Sequence, residues 1–597
     1  MFKIDYQKNV NDRLFNNLEK YLNVYNIQNY IPLYNKYFKL NETNYNSINL
    51  NNKYSICKIT DVSDVSNTFV SYFKDCCGNI INQPKKEIFV KYSPLLDPFK
   101  YMIGKYDISN NSIFKLPSYL DINNVDVNTK IIDSNNSAYV DGFFSYLTSN
   151  LLNHNGFLNG IDFYGSYLCF KRDFIVNIED EIEYIFNSDF FNKNNDNLFK
   201  LNNEYHKEIL NFDSRNNKKR LNIKNISMNA NILEYSEIGD DIQELLVDDT
   251  YSYENNSLEL LNDLEVINID DIDDQENKDI NSKRLKVNKS NSHSGSNSGS
   301  TSCSSRTSNT NSDDMLDLDK MDLDDDDNSS NYGSESSEHS YSTVSSNENV
   351  DVTIFNFPVE IILLEKCKNT LDNLIVEKLI DDKEWASMLM QVIMSLITYQ
   401  KIFNFTHNDL HTNNIMFIET NKKYLYYKYD SKYYQVPTYG KIFKIIDFGR
   451  AIYKYNGEII CSDSFSLSGD ASTQYNFEPY FNSNKPSVEP NYSFDLCRLA
   501  CSLYDFIIDN DDIKDKELIK IIKEWCSDDK NKNVLYKSNG DERYPDFKLY
   551  KMIARTVHNH IPKEQLNKKY FSQFKIARSS IPRDKPIINI DNIPIYV

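Results

Sequence analysis

At 597 residues the chain exceeds one compact core, and its formal net charge of −21 argues against a general nucleic-acid binder, which would carry a basic stripe. Glycine and proline, 15 each, are scarce beside 43 tyrosines, and the negative charge is concentrated in one central tract, which lowers the number of domains the length would allow. The ten cysteines form no C-x-x-C pair, and Cys497 and Cys501 stand at i, i+4 without histidine partners, so they read as buried thiols of an intracellular protein rather than a disulfide frame or a zinc site.

The opening residues lack the apolar core of a secretory leader. The most hydrophobic segment, 385–403, is interrupted by Ser387, Gln391, Ser395 and Gln400, as in an amphipathic core helix and not a membrane span. A soluble, intracellular chain without a membrane partner is expected. Residues 1–52 carry Leu14, Phe15, Leu18, Tyr21 and Leu22 at helical spacing, which predicts a helical extension. From Lys53 the pattern turns to strands over 54–59, 68–73 and 87–92, with a turn at Cys77-Gly78-Asn79 and Lys91 near the end of the third strand. Between the first two, Asp61-Val62-Ser63-Asp64-Val65-Ser66-Asn67-Thr68 contains no glycine. A helix is predicted over 137–152, where Asp141 is the only acid, and a fourth strand over 160–170. Residues 171–237 show no assignable pattern.

From 238 to 351 the composition changes. An acidic start passes a basic cluster, Lys283-Arg284-Leu285-Lys286, and a Ser, Asn and Gly tract, then reaches nine Asp against one Lys between Asp313 and Asp327. Such a zone has too little apolar surface to offset chain entropy, which predicts disorder. Three basic residues in a run of four are a weaker sign of a nuclear address than of a solvated linker. Order is predicted to return at Thr353, with an apolar strand running to Glu365 and a helix starting at Thr370-Leu371-Asp372. The long helix from Asp382 to Phe403 repeats Met388, Val392, Leu396 and Tyr399 at core spacing.

That helix delivers His407-Asn408-Asp409-Leu410-His411-Thr412-Asn413-Asn414, an acid followed five residues later by an amide. Downstream, Lys444-Ile445-Ile446-Asp447-Phe448-Gly449 carries a second acid from an apolar pair into a glycine turn. Phosphoryl transfer needs a carboxylate to orient the attacking hydroxyl, plus an amide and a second carboxylate to hold magnesium against the phosphate oxygens. Asp409, Asn414 and Asp447 suit those tasks. A lone H-x-D or D-F-G is common in loops and strand ends, but the two in this order are far more specific. Between them, 424–436 reads as a tyrosine-rich hairpin on the surface, where added loop length costs little. Asp495-Leu496-Cys497-Arg498-Leu499-Ala500-Cys501 opens a further helix, 519–525 and 549–558 are helical, and Arg543 is a candidate partner of Glu489.

In these motifs the chain resembles the protein-kinase superfamily, whose catalytic loop reads H-R-D-x-x-x-x-N and whose metal loop reads D-F-G. The likeness covers residues 53–170 and 353–560. The hairpin, Asp409-Leu410-His411 and the motif at Asp495 together look most like the divergent serine/threonine kinases of giant DNA viruses, which implies a host cytoplasm or virion location. The resemblance implies an α+β, two-lobed fold with a small β-rich N-lobe (53–237) and a larger hinge and helical C-lobe (352–597), separated by the disordered acidic, Ser-rich insertion (238–351). It assigns Lys91 to the phosphates of ATP, Asp141 to pairing with Lys91, and the backbone around Leu364, Glu365 and Cys367 to adenine. It further assigns Asp409 to the acceptor hydroxyl, Asn414 and Asp447 to Mg2+, and His411 to the position facing the γ-phosphate, where protein kinases usually carry lysine. Asp495 matches the acid that braces the catalytic loop from inside, a signature that small-molecule kinases generally lack.

Two departures stand out. The phosphate loop has lost its glycines, which normally let backbone approach phosphate closely. Asn408 replaces the arginine that meets a phosphorylated activation segment, which predicts activity independent of that switch. The expected function is transfer of the γ-phosphate of ATP to a serine or threonine of a protein substrate, with the chain's own Ser-rich insertion as one acceptor. The alternatives are a catalytically weak pseudokinase scaffold and a small-molecule kinase of the aminoglycoside or choline type.

Overall fold

Runs of β-branched and aromatic residues build one antiparallel sheet of seven strands. The computed structural model describes residues 5–8, 11–75, 77–109, 111–119, 127–202, 350–510 and 512–597, so the expected disorder of the acidic zone falls almost entirely outside the described residues. In chain order the strands are β1 (Val24–Gln28), β2 (Tyr54–Val62), β3 (Thr68–Asp75), β4 (Ile80–Pro94), β5 (Phe163–Asn177), β6 (Phe199–Leu201) and β7 (Asp351–Glu365). They lie in the order β1-β5-β7-β4-β3-β2, with β6 beside the first residues of β7. The segment that follows the acidic zone is therefore the central strand, and Ile362 faces Lys91 on one side and Ser166 on the other. Residues 357–364 are buried without a break, as expected of a strand covered on both faces. The described residues begin again at Val350, which is already buried, ahead of the expected Thr353.

The opening residues contribute more than the expected helical extension. Helix α1 (Asp12–Leu22) turns Leu14, Leu18 and Leu22 inward, and its polar residues reach β2 through Tyr21 Oη to Thr60 O (2.8 Å) and Asn17 Nδ2 to Ile59 O (3.0 Å). After it, Val24–Gln28 joins the sheet as an edge strand, with Val24, Tyr25 and Gln28 opposite Lys171, Phe170 and Leu168 of β5. The stretch without a pattern after Lys171 continues β5 and then forms β6, with short helices Ile182–Phe186 and Asp189–Asn194 between them.

Helix α2 (Ser137–Asn155) is capped at its start by the Asn136 side chain and ended by Gly156 in the left-handed region, φ 67°. It is buried on nearly every side, so Asp141 is held in the interior instead of sitting on a solvated helix end. Gly142 allows close approach to β7, since a Cβ there would collide with the Glu360 carboxyl.

The remaining chain begins with α3 (Leu371–Val376), capped by the Thr370 hydroxyl, and α4 (Asp382–Phe403). The expectation of an amphipathic α4 is corrected. Ser387, Gln391, Ser395 and Gln400 are as buried as the apolar residues around them. Three of them are satisfied internally: Ser395 Oγ donates to Gln391 O (3.0 Å), Gln391 Oε1 accepts from Phe443 N (3.0 Å) and Gln400 Nε2 donates to Tyr492 O (3.3 Å), while Ser387 Oγ has no partner among the described residues.

Four strands follow: β8 (Ile415–Glu419), β9 (Tyr424–Tyr429), β10 (Lys432–Pro437) and β11 (Lys441–Ile445). β9 and β10 form the expected hairpin, but it is not a surface appendage. Leu425, Tyr427, Tyr434 and Val436 are buried, and short strands near the C-terminus, Lys575–Ile576 and Ile588–Asn589, flank it on both sides. Helices α5 (Phe494–Ile508), α6 (Lys516–Trp525) and α7 (Lys548–Thr556) complete the parts that matter here. Cys497 and Cys501 are buried free thiols on α5. Arg543 does not pair with Glu489, since its Nε donates to Asn533 O (2.8 Å) within its own loop. Among the described residues no helix is long and apolar enough to cross a membrane.

Candidate functional site

Strand register brings the two acid-bearing motifs together. β8 and β11 are antiparallel with Ile415 opposite Ile445, and Ile446 N donates to Asn414 O (3.0 Å), so the segments around Asn414 and Asp447 lie side by side. A second bridge ties Thr406 to Ile452. Between these ties, His407 Nε2 lies 2.9 Å from Ile446 O and acts on the loop backbone, as expected of a structural histidine. From α5, fully buried Asp495 accepts from His407 N and Asn408 N, each at 2.9 Å. A buried carboxylate is tolerated when it takes such hydrogen bonds. Asn408 stands in the left-handed region (φ 66°), where its side chain donates to Arg450 O (2.9 Å) and accepts from Tyr475 Oη (2.7 Å).

Lys91 meets two of the three other acids. Its Nζ lies 2.6 Å from Asp141 Oδ2 and 2.8 Å from Asp447 Oδ1. Asp141 Oδ1 accepts from Phe448 N (2.9 Å), so one carboxyl ties the lysine to the backbone beside Asp447. Asp447 has φ 63°, a strained setting for a side-chain-bearing residue of the kind that gathers at functional sites. Burial works against the charge on Lys91, but Asp141 and Asp447 outweigh it and hold the ammonium above the ordinary lysine range. Two carboxylates thus share one cation, and the formal surplus is one negative charge.

Asp409 is held by a separate set. Tyr550 Oη, from α7, donates to its Oδ1 (2.8 Å), and Arg498 Nε, from α5, donates to Tyr550 Oη (2.9 Å). Burial would raise its pKa, yet Arg450, His411, Arg498 and the Tyr550 hydrogen bond together hold the carboxyl below its usual range. Arg450 is itself paired with Asp470. Burial, aided by Arg498, pushes His411 down despite the nearby Asp409, so its imidazole is neutral at pH 7. Asn414 is buried, and its Nδ2 donates to Asp409 O (2.9 Å) and lies 3.2 Å from His411 Nε2, which leaves Oδ1 as the side-chain atom that could act as a ligand.

Among the described residues no three His, Cys, Asp or Glu side chains form a metal-holding group. The Asn414 amide oxygen and the Asp447 carboxylate are the side chains that could hold Mg2+, an ion that takes one or two protein oxygens when phosphates and waters supply the rest. The surplus negative charge beside Lys91 fits a cation there.

The segment expected to meet adenine is only partly available. Leu364 pairs with strands on both sides, and Glu365 N donates to Asp162 O (2.9 Å), while the Glu365 side chain is paired with Lys444. Usable backbone is therefore confined to Lys366 and the buried Cys367. The glycine-free turn closes with Asn67 at φ 54°, taking the role of a glycine, and Asp61 and Asp64 are exposed. Sequence reasoning missed Tyr550, Arg450, Arg498 and Glu360. Arg498 lay inside a recognised motif but was read only for Asp495, and no local signal marks Tyr550. No family model matches the chain and no curated protein matches it, so the meaning of these residues rests on their geometry.

Proposed function

We propose that the chain is a two-lobed kinase that transfers the γ-phosphate of ATP to a serine or threonine hydroxyl of a protein. The observation that carries this reading is the contact of Lys91 with Asp141 and Asp447 at 2.6 and 2.8 Å, next to a loop that presents Asp409 and Asn414. These groups come from four separate stretches of chain, and stability alone does not call for two acids on one buried lysine. Lys91 holds the α- and β-phosphates, and Asp409 accepts the hydroxyl proton as the acceptor oxygen bonds to the γ-phosphorus and the bond to the β–γ bridging oxygen breaks, releasing ADP. Asn414 and Asp447 are the residues that would hold Mg2+, whose chemistry is to neutralise phosphate charge. Neutral His411 offers one hydrogen bond and no charge.

Purified protein with γ-labelled ATP and magnesium should label itself and a basic acceptor protein. Asp409→Ala should lower the rate by about 10² to 10⁴. Absence of label from wild-type protein, despite an ATP-dependent thermal shift, would favour the scaffold reading, to which the glycine-free turn points. Label on aminoglycoside or choline, with proteins untouched, would favour the small-molecule reading.

A further inference from the structure

We propose that Tyr550 and Arg498 are positioning residues that pin Oδ1 of Asp409 and so leave Oδ2 to receive the acceptor hydroxyl. The proposal rests on the phosphotransfer reading and adds to it the residues that orient the carboxylate. Oδ1 accepts from Tyr550 Oη at 2.8 Å, and no hydrogen bond from a described residue reaches Oδ2. The phenol is itself held by Arg498 Nε at 2.9 Å, so the tyrosine proton is directed at the carboxylate. Arg498 and Arg450 place guanidinium carbons 5.1 and 5.7 Å from the Tyr550 ring centre, and Phe547 stacks on the ring at 5.4 Å with planes 16° apart.

A tyrosine that donates to the candidate base could instead be a plug sitting in place of the acceptor. The packing argues otherwise. Tyr550 is 5 % exposed and belongs to the inner face of α7 with Leu549, Ile553 and Ala554, so releasing it would unpack a helix. A plug would also be expected to leave neither oxygen open. A donor fixed on one oxygen restricts rotation of the carboxyl and favours its charged form, which is what an orienting acid requires.

The test uses the full-length chain. Tyr550→Phe should keep the fold, keep KM for ATP within about twofold and lower kcat by about tenfold, since a misplaced reacting group costs that order or more. The acid limb of its pH profile should move to higher pH. Arg498→Lys, which keeps charge but loses the planar donor, should show a smaller change in the same direction. Independently of turnover, a crystal structure of Tyr550→Phe should show the Asp409 carboxyl rotated from its wild-type orientation while α7 stays in place. Activity equal to or above wild type in Tyr550→Phe overturns the proposal in favour of a plug, and an Asp409 carboxyl that keeps its wild-type orientation overturns it outright. If wild-type protein transfers no label, the phosphotransfer reading fails, while the carboxyl orientation in the variant still decides whether Tyr550 holds it.

Discussion

Asp495 offers the sharpest test of how the candidate loop is held. Asp495→Ala removes the acceptor of two buried backbone donors, His407 N and Asn408 N. Each buried donor left unpaired costs about 1–3 kcal/mol, or about 2–6 kcal/mol for the pair. Against this, burial pushes the Asp495 carboxyl up from its ordinary range, so its removal relieves part of a desolvation penalty, and a net loss of about 2–4 kcal/mol is expected. Asp495→Asn keeps one acceptor oxygen but turns an amide NH2 toward the other donor, and should lose about 1–3 kcal/mol. Urea unfolding followed by tryptophan fluorescence reports on this region, because Trp385 on α4 and Trp525 on α6 are both buried. The alanine variant should also lose label transfer, since its loop no longer fixes Asp409. A loss below about 1 kcal/mol with wild-type transfer would refute the claim that Asp495 braces this loop.

Lys91→Met should abolish the ATP-dependent thermal shift and label transfer. It should also destabilise the protein more at pH 8 than at pH 5: without the cation Asp141 and Asp447 repel, a carboxyl pKa rises in the folded state, and stability falls as pH climbs from the unfolded value toward the folded one. Glu360 is 1 % exposed, its Oε2 has no hydrogen-bond partner among the described residues, and burial holds its carboxyl well above the usual range. Its folded pKa exceeds the unfolded one, so the protein loses stability as pH rises above about 4.5. Glu360→Gln, compared by urea unfolding, should match wild type below that pH and gain on it by up to about 1.4 kcal/mol per pH unit above it. A difference independent of pH would show that Glu360 is charged. Gly142→Ala drives a methyl into the Glu360 carboxyl and should cost about 1–3 kcal/mol by the same assay, with Glu360→Ala restoring part of the loss.

The elements were largely legible because their signals are local. Strand alternation located 54–59, 68–73 and 87–92, and helical spacing located Ser137–Asn155 and Asp382–Phe403 to within a few residues. The same local reading misjudged surroundings. Polar residues every four positions made α4 look half-solvated, whereas a helix enclosed on all sides can satisfy Ser395 from its own carbonyls and Gln391 from β11. The tyrosine hairpin read as a surface hairpin because nothing in 424–436 announces that residues 575–589 will pair with both its edges.

The sequence by itself determined which residues are candidates for the proposed phosphotransfer and in what order they occur, because side-chain type and spacing within a short segment depend on the chain alone. Only the tertiary structure decided which of them meet. Lys91 reaches Asp141 and Asp447 because β4 is registered against β7 and β8 against β11, and Tyr550 reaches Asp409 across 141 residues of chain. Such contacts are fixed by register and helix packing over long separations, and neither leaves a mark in the neighbouring sequence.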